Sequence, residues 1–196
     1  MNKYFLWAVA ISALCSSCET EDEVFLTAQE QIIASKEAEN VEINYYQTYQ
    51  SILSSFVYDN QQTNQENLLR FEQHVNHCMP YDEEKASYER MDLKQVAFLA
   101  TTDATYIEHL NYSETAKTIL YAVLNDQYNE EIAKNTLEPE EYRLIQALAA
   151  LHNDNNGNGY DDDILNDRRT IAFAYGAQHR FIKAVLYTGA VEIIFR

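Results

Sequence analysis

Apolar residues recur along this chain every three or four positions, the spacing that gathers them on one face of an α-helix. From Phe25 to Glu39, Leu26, Gln29, Ile32 and Ile33 lie near one face with charges opposite. Val41 to Tyr58 carries Ile43, Tyr46, Tyr49, Ile52, Leu53 and Phe56 in one stripe. After the polar linker Asp59-Asn60-Gln61-Gln62-Thr63-Asn64, a third stripe of Leu68, Phe71, Val75 and Met79 runs up to Pro80. Proline lacks an N–H and restricts the residue before it, so a helix ends or kinks there.

Tyr81 to about Leu110 is a long helical candidate through Tyr88, Met91, Val96, Leu99, Tyr106 and Ile107. Thr101-Thr102-Asp103 interrupts it and predicts a break or a new N-cap. Ser113 is placed to cap a helix whose inner face is Ile119, Leu120, Val123 and Leu124, ending at Asn125-Asp126-Gln127. Pro139 with Glu138, Glu140 and Glu141 marks another start, because acids suit the positive end of the helix dipole. Leu144, Ile145, Leu148 and Leu151 carry that helix to a loop, beyond which Ile164 to Arg169 reads as helical again.

Residues 170–196 fit two patterns. Ile171, Phe173 and Tyr175 alternate with alanine as in a strand, whereas Ile171, Tyr175, Gln178 and Ile182 suit a helix. Helix is favoured, because a lone strand would have no partner. The expected fold is therefore all-α, a multi-helix bundle with a loop between two late helices and a C-terminal segment for which an extended form stays open.

Composition sharpens this picture. The chain has 196 residues, 46% of them apolar, enough for one domain with a core. Four glycines and two prolines are too few for a sandwich with many tight turns. A formal charge of −17 repels nucleic acid and excludes a direct role in binding it.

The N-terminus divides further. Lys3 precedes an apolar run, Tyr4 to Leu14, that is too short to span a bilayer. It ends in Leu14-Cys15-Ser16-Ser17-Cys18, which resembles the lipobox of a bacterial lipoprotein with Cys18 as the lipidated residue. Cys15, three places before Cys18, departs from the usual aliphatic residue. The acidic run Glu19-Thr20-Glu21-Asp22-Glu23 resembles the surface-export signal of lipoproteins from the Bacteroidota, and a plain solvated tether stays open beside it. The resemblance implies residues 1–17 as signal peptide, with 18–24 as acidic tether; the helical pattern and the length then make 25–196 a single helical domain. The resemblance also implies an outer-membrane lipoprotein, held through a lipid anchor at the periplasmic face or the cell surface. Cys78 is then left without an intramolecular disulfide partner.

The sharpest chemical pattern is the loop from Asp154 to Asp163, where oxygen-bearing side chains recur at alternate positions. It resembles an EF-hand-like or dockerin-like calcium loop. Asp154 stands at position 1, Asn156 at 3, Asn158 at 5, Gly159 at 6, Tyr160 at 7 through its carbonyl, and Asp162 at 9. Position 12 is Leu165 where such loops carry a bidentate acid, and Asp163 or Asp167 could replace it only with altered geometry. The resemblance implies a weak structural Ca²⁺ held by Asp154, Asn156, Asn158, Tyr160 and Asp162. A bare polar connector between two helices remains the alternative.

His74, His77 and Cys78 share one helix face, and imidazole with thiolate suits zinc or copper. The plainer expectation is a half-exposed face with Cys78 buried as a small hydrophobe. No G-x-S-x-G, H-E-x-x-H or phosphate-loop motif is present. His109, His152 and His179 show no partner in the sequence. Tyr46, Tyr49, Tyr88 and Tyr106 fall on apolar stripes and are expected in the core, with Tyr45, Tyr58 and Tyr81 outward.

The functional expectation is a non-catalytic binding or interaction protein with an unknown protein or glycan partner. The alternatives are a secreted effector in bacterial competition, whose apolar C-terminal end inserts into a target, and a hydrolase.

Overall fold

A computed structural model describes residues 44–79, 88–154 and 162–196. Among them the chain forms eight α-helices, one 3₁₀ helix and no strand. Numbered over these residues, the helices are α1 Tyr45–Ser55, α2 Asn64–Cys78, α3 Leu93–Leu99, α4 Glu114–Leu124, α5 Glu130–Thr136, α6 Pro139–His152, α7 Asp162–Ala177 and α8 Phe181–Ile194. The 3₁₀ helix is Ala104–His109, between α3 and α4. The expected all-α bundle is what forms, and residues 44–196 make one compact unit.

Short polar side chains set most of the starts. A first turn leaves N–H groups without helical partners, and a side-chain oxygen just ahead can accept from one of them. Asn44 accepts from Gln47 N at 3.0 Å, and Ser113 from Ala116 N at 3.1 Å. Thr63 and Glu66 form a reciprocal capping box: Glu66 N donates to Thr63 Oγ1 at 3.2 Å, and Thr63 N donates back to Glu66 Oε2 at 2.8 Å. The expected break before Ala104 is there, with Asp103 accepting from Thr105 N at 2.9 Å. At α6, Pro139 occupies the first turn and Glu140 and Glu141 lie at its positive end, as the sequence implies.

The core is organised around α8. Ala184 to Val191 are buried without interruption, so this helix meets protein on every side. It packs against α7, α2, α3 and α1. Two glycines permit the closest approaches. A Cβ on Gly176 would fall 2.4 Å from the backbone of Ala184, so α7 and α8 nearly touch there. A Cβ on Gly189 would fall 2.2 Å from the Phe71 ring of α2. The segment left open between helix and strand is thus helical, and it is the hub. An effector that inserted this segment into a target would have to withdraw it from the core.

Several expectations are corrected. Of the helix expected from Tyr81 to Leu110, residues 80–87 lie outside the described residues, 88–92 are not helical, and α3 starts at Leu93, where Asp92 accepts from Lys94 N at 2.9 Å. Tyr88, placed in the core by assuming helical phase, is 52% exposed because 88–92 is not helical. Helix α5 was not foreseen. Its apolar signal is just Ile132 and Ala133, and Ile132 is exposed. The first helical candidate, 25–39, lies outside the described residues, as do residues 1–24 with Cys18.

Candidate functional site

Two features stand out, a buried ionic network and a neighbouring aromatic cleft. The network centres on Arg169 of α7, only 3% exposed. A guanidinium in that position requires counter-charges, since burying an unpaired charge is costly. Glu192 of α8 supplies one, its Oε2 lying 3.7 Å from Arg169 Nε, and Asp154 supplies the other at 3.7 Å from Nη2. Tyr49, fully buried on α1, donates its hydroxyl to Glu192 at 3.2 Å. Burial, followed by the negative charge of Glu192, drives the Tyr49 phenol well above its ordinary pKa and keeps it a donor. Gln50 donates to Asp154 Oδ2, and the Tyr46 phenol is raised by burial and then by Asp154. Three helices, α1, α7 and α8, and Asp154 just beyond α6 are therefore joined through one cation.

That network bears on the expected cation loop. Of Asp154, Asn156, Asn158, Tyr160 and Asp162, Asp154 is described in full and Asp162 through its backbone at the head of α7; Asn156, Asn158 and Tyr160 lie outside the described residues. The Asp154 carboxylate already faces Gln50 and Arg169. Asp167, one candidate for the missing twelfth ligand, lies 3.0 Å from His152 Nε2. His152, which showed no partner in the sequence, is buried at the end of α6 with Asp126 3.6 Å from its Nδ1. Among the described residues no group of three His, Cys, Asp or Glu side chains is arranged to hold a metal ion.

His74, His77 and Cys78 do not converge as ligands. His74 Nε2 lies 3.0 Å from Ser55 Oγ and 3.1 Å from the Ile52 carbonyl. Cys78 lies 3.6 Å from His74 and is exposed, not buried as expected. His77 is exposed too, beside Cys78 and the Gln47–Ser55 face of α1.

The cleft is more promising. It encloses about 230 Å³ between α1, α6, α7, α8 and the residue ahead of α4, lined by Tyr45, Tyr112, Glu140, Glu141, Leu144, Phe173, Ala177 and Phe181. Phe173, 1% exposed, lies deepest. The Phe181 ring stands 6.1 Å from Phe173 and 4.9 Å from Tyr45, so three rings follow one another along the wall. Tyr112 donates to the Ala174 carbonyl at 2.6 Å. Burial, reinforced by the Glu141 carboxylate, pushes its phenol far above the usual value. Glu141 accepts from Ser113 N at 2.9 Å and Ser113 Oγ at 2.8 Å, tying the start of α4 to α6. Glu140 is exposed.

The sequence did not single out the cleft. Its members are spread from residue 45 to residue 181, and each alone is an ordinary stripe aromatic or first-turn acid. The network left one usable trace. Glu192 is an acid in the apolar run from Ala184 to Phe195, and such a charge asks for a buried partner.

Compared with models of protein families, with curated proteins and with solved structures, the chain matches none.

Proposed function

We propose that this protein is a non-catalytic binding module, held at the outer membrane by a lipid on Cys18, that receives part of a protein or glycan partner in the aromatic cleft. The observation that carries the reading is the wall Tyr45–Phe181–Phe173. Tyr45 and Phe181 are half-buried over the buried Phe173, and aromatic side chains on a rigid, multi-helix frame are a common basis of recognition, since they offer contact area at low cost in side-chain freedom. The cleft is built on helices fixed by the core, so it needs little ordering when a ligand enters. The polar groups around it hold helices: Glu141 ties Ser113, the cap of α4, to α6, and Tyr112 holds α7.

Peptide and glycan arrays probed with the purified protein test the reading. Ligands retained by the wild type and lost by Phe181→Ser, at unchanged far-UV circular dichroism, support it. A panel in which every retained ligand is also retained by Phe181→Ser overturns it. Labelled palmitate incorporated by the wild type and not by Cys18→Ala tests the anchor.

The same reading includes a structural Ca²⁺ on the loop, held by Asp154, Asn156, Asn158, the Tyr160 carbonyl and Asp162. The spacing supports it, as does the anchoring of Asp154 by Gln50. At a dissociation constant of ~1 mM, a tenfold excess of Ca²⁺ stabilises the fold by about 1.4 kcal/mol. An unfolding temperature that stays constant through ~10 mM Ca²⁺ removes the ion from the account.

A further inference from the structure

We propose that the group received in the cleft is cationic: an alkylammonium head on a short apolar stem. This rests on the binding-module reading above and specifies its ligand. The lining combines the half-buried rings of Tyr45 and Phe181, over the buried Phe173, with two carboxylates, Glu140 and Glu141, and among the described residues carries no lysine, arginine or histidine. Ring faces are negative and attract an ammonium within about 6 Å, most strongly where water is excluded. Carboxylates at the same site add attraction for a cation and repel an anion.

The committed polar atoms argue against a sugar hydroxyl as the main occupant. Tyr112 already donates to Ala174, and Glu141 already accepts twice from Ser113. The charged groups around the cleft are thus anionic acceptors, and an alkylammonium is drawn to them by its charge without asking for donors in return. Leu144, Phe173 and Ala177 give a methylene stem an apolar surface to lie along. The formal charge of −17 draws cations to the whole molecule, and the cleft adds shape to that pull.

Choline and its uncharged isostere 3,3-dimethylbutan-1-ol separate charge from shape. Each is titrated into the full chain and followed by calorimetry and by ligand-observed NMR. Choline is expected to bind at least ~10-fold more tightly than the alcohol, about the span of one desolvated cation–π contact. Glu140→Gln leaves the fold intact, since Glu140 is exposed, and is expected to weaken choline about fivefold while leaving the alcohol unchanged. Tyr45→Leu keeps an apolar wall without a ring face and is expected to weaken choline by a similar factor. Equal affinity for the two probes overturns the inference and leaves the binding-module reading standing. Neither probe binding, while a peptide or glycan is held in a Phe181-dependent way, also overturns the inference alone. Neither probe nor any array ligand binding overturns both.

Discussion

Gly189 offers the sharpest check on the packing. It sits inside α8, where glycine costs about 1 kcal/mol relative to alanine. On helix propensity alone, Gly189→Ala should stabilise. The structure gives the opposite sign. The added Cβ would lie 2.2 Å from Phe71 Cζ, 2.4 Å from Cε1 and 3.1 Å from Cε2. Phe71 has no exposure to retreat into, and its ring is held edge-on against Phe56 at 5.1 Å. Overpacking of this kind costs about 1–3 kcal/mol. Net of propensity, Gly189→Ala should destabilise by up to about 2 kcal/mol.

Phe71→Leu removes the three ring atoms that the methyl would strike, at a cost on the order of 1–2 kcal/mol for the space left. In that background the methyl enters vacated volume, and Gly189→Ala should stabilise by about 1 kcal/mol. The sign of the alanine effect therefore reverses between backgrounds, a coupling of about 1–3 kcal/mol. Urea unfolding of the four proteins, followed by circular dichroism, measures the cycle. Additivity within about 0.5 kcal/mol would refute the contact between α8 and α2 as described.

Three further outcomes are expected. Arg169→Met strands Glu192 and Asp154 without their buried counter-charge and should cost about 3–5 kcal/mol, while an unchanged thermal midpoint would refute the network. The Glu66 carboxyl is held below its usual pKa by the Thr63 N–H and then by the Thr63 hydroxyl, so its contribution is complete above the unfolded value and fades as pH falls through the folded one. The stability difference between wild type and Glu66→Gln should therefore narrow as pH falls below the ordinary glutamate value of about 4.3, and a constant gap in urea midpoints counts against the capping box. Asn67, fully buried, accepts from Asp59 N at 3.0 Å and donates to Asp59 O at 2.9 Å. Asn67→Ala should cost about 1–3 kcal/mol and speed amide exchange at Asp59, and unaltered exchange there would contradict the turn.

What was legible in the sequence follows from the range of the forces involved. Ser113 and Pro139 announce their helices because capping and first-turn chemistry act within four residues. Ile52, Leu53, Phe71 and Val75 announce their faces because burial repeats with the helical turn. Thr63 was hidden inside a run of polar residues that reads as linker, although Glu66 three places on completes the capping box. Tyr88 went astray because a stripe assigns phase to a residue that is not in a helix. Arg169, Glu192 and Tyr49 meet across 143 residues of chain between Tyr49 and Glu192, and no local period encodes such a meeting. The cleft is harder still to foresee, being a gap left between four helices and Tyr112.

The position of the hub has a consequence for how the molecule assembles. Every other described helix is made before α8, yet α7, α2, α3 and α1 all close on it. Until that helix arrives, Phe71 and Tyr49 lack the surfaces that bury them, and Arg169 lacks Glu192. Whether the chain emerges from a ribosome or passes through a membrane pore, its N-terminal helices must wait as marginal, partly wetted segments. Closure then comes late and all at once. A core that closes only when α8 is present makes that one helix the step on which the others wait.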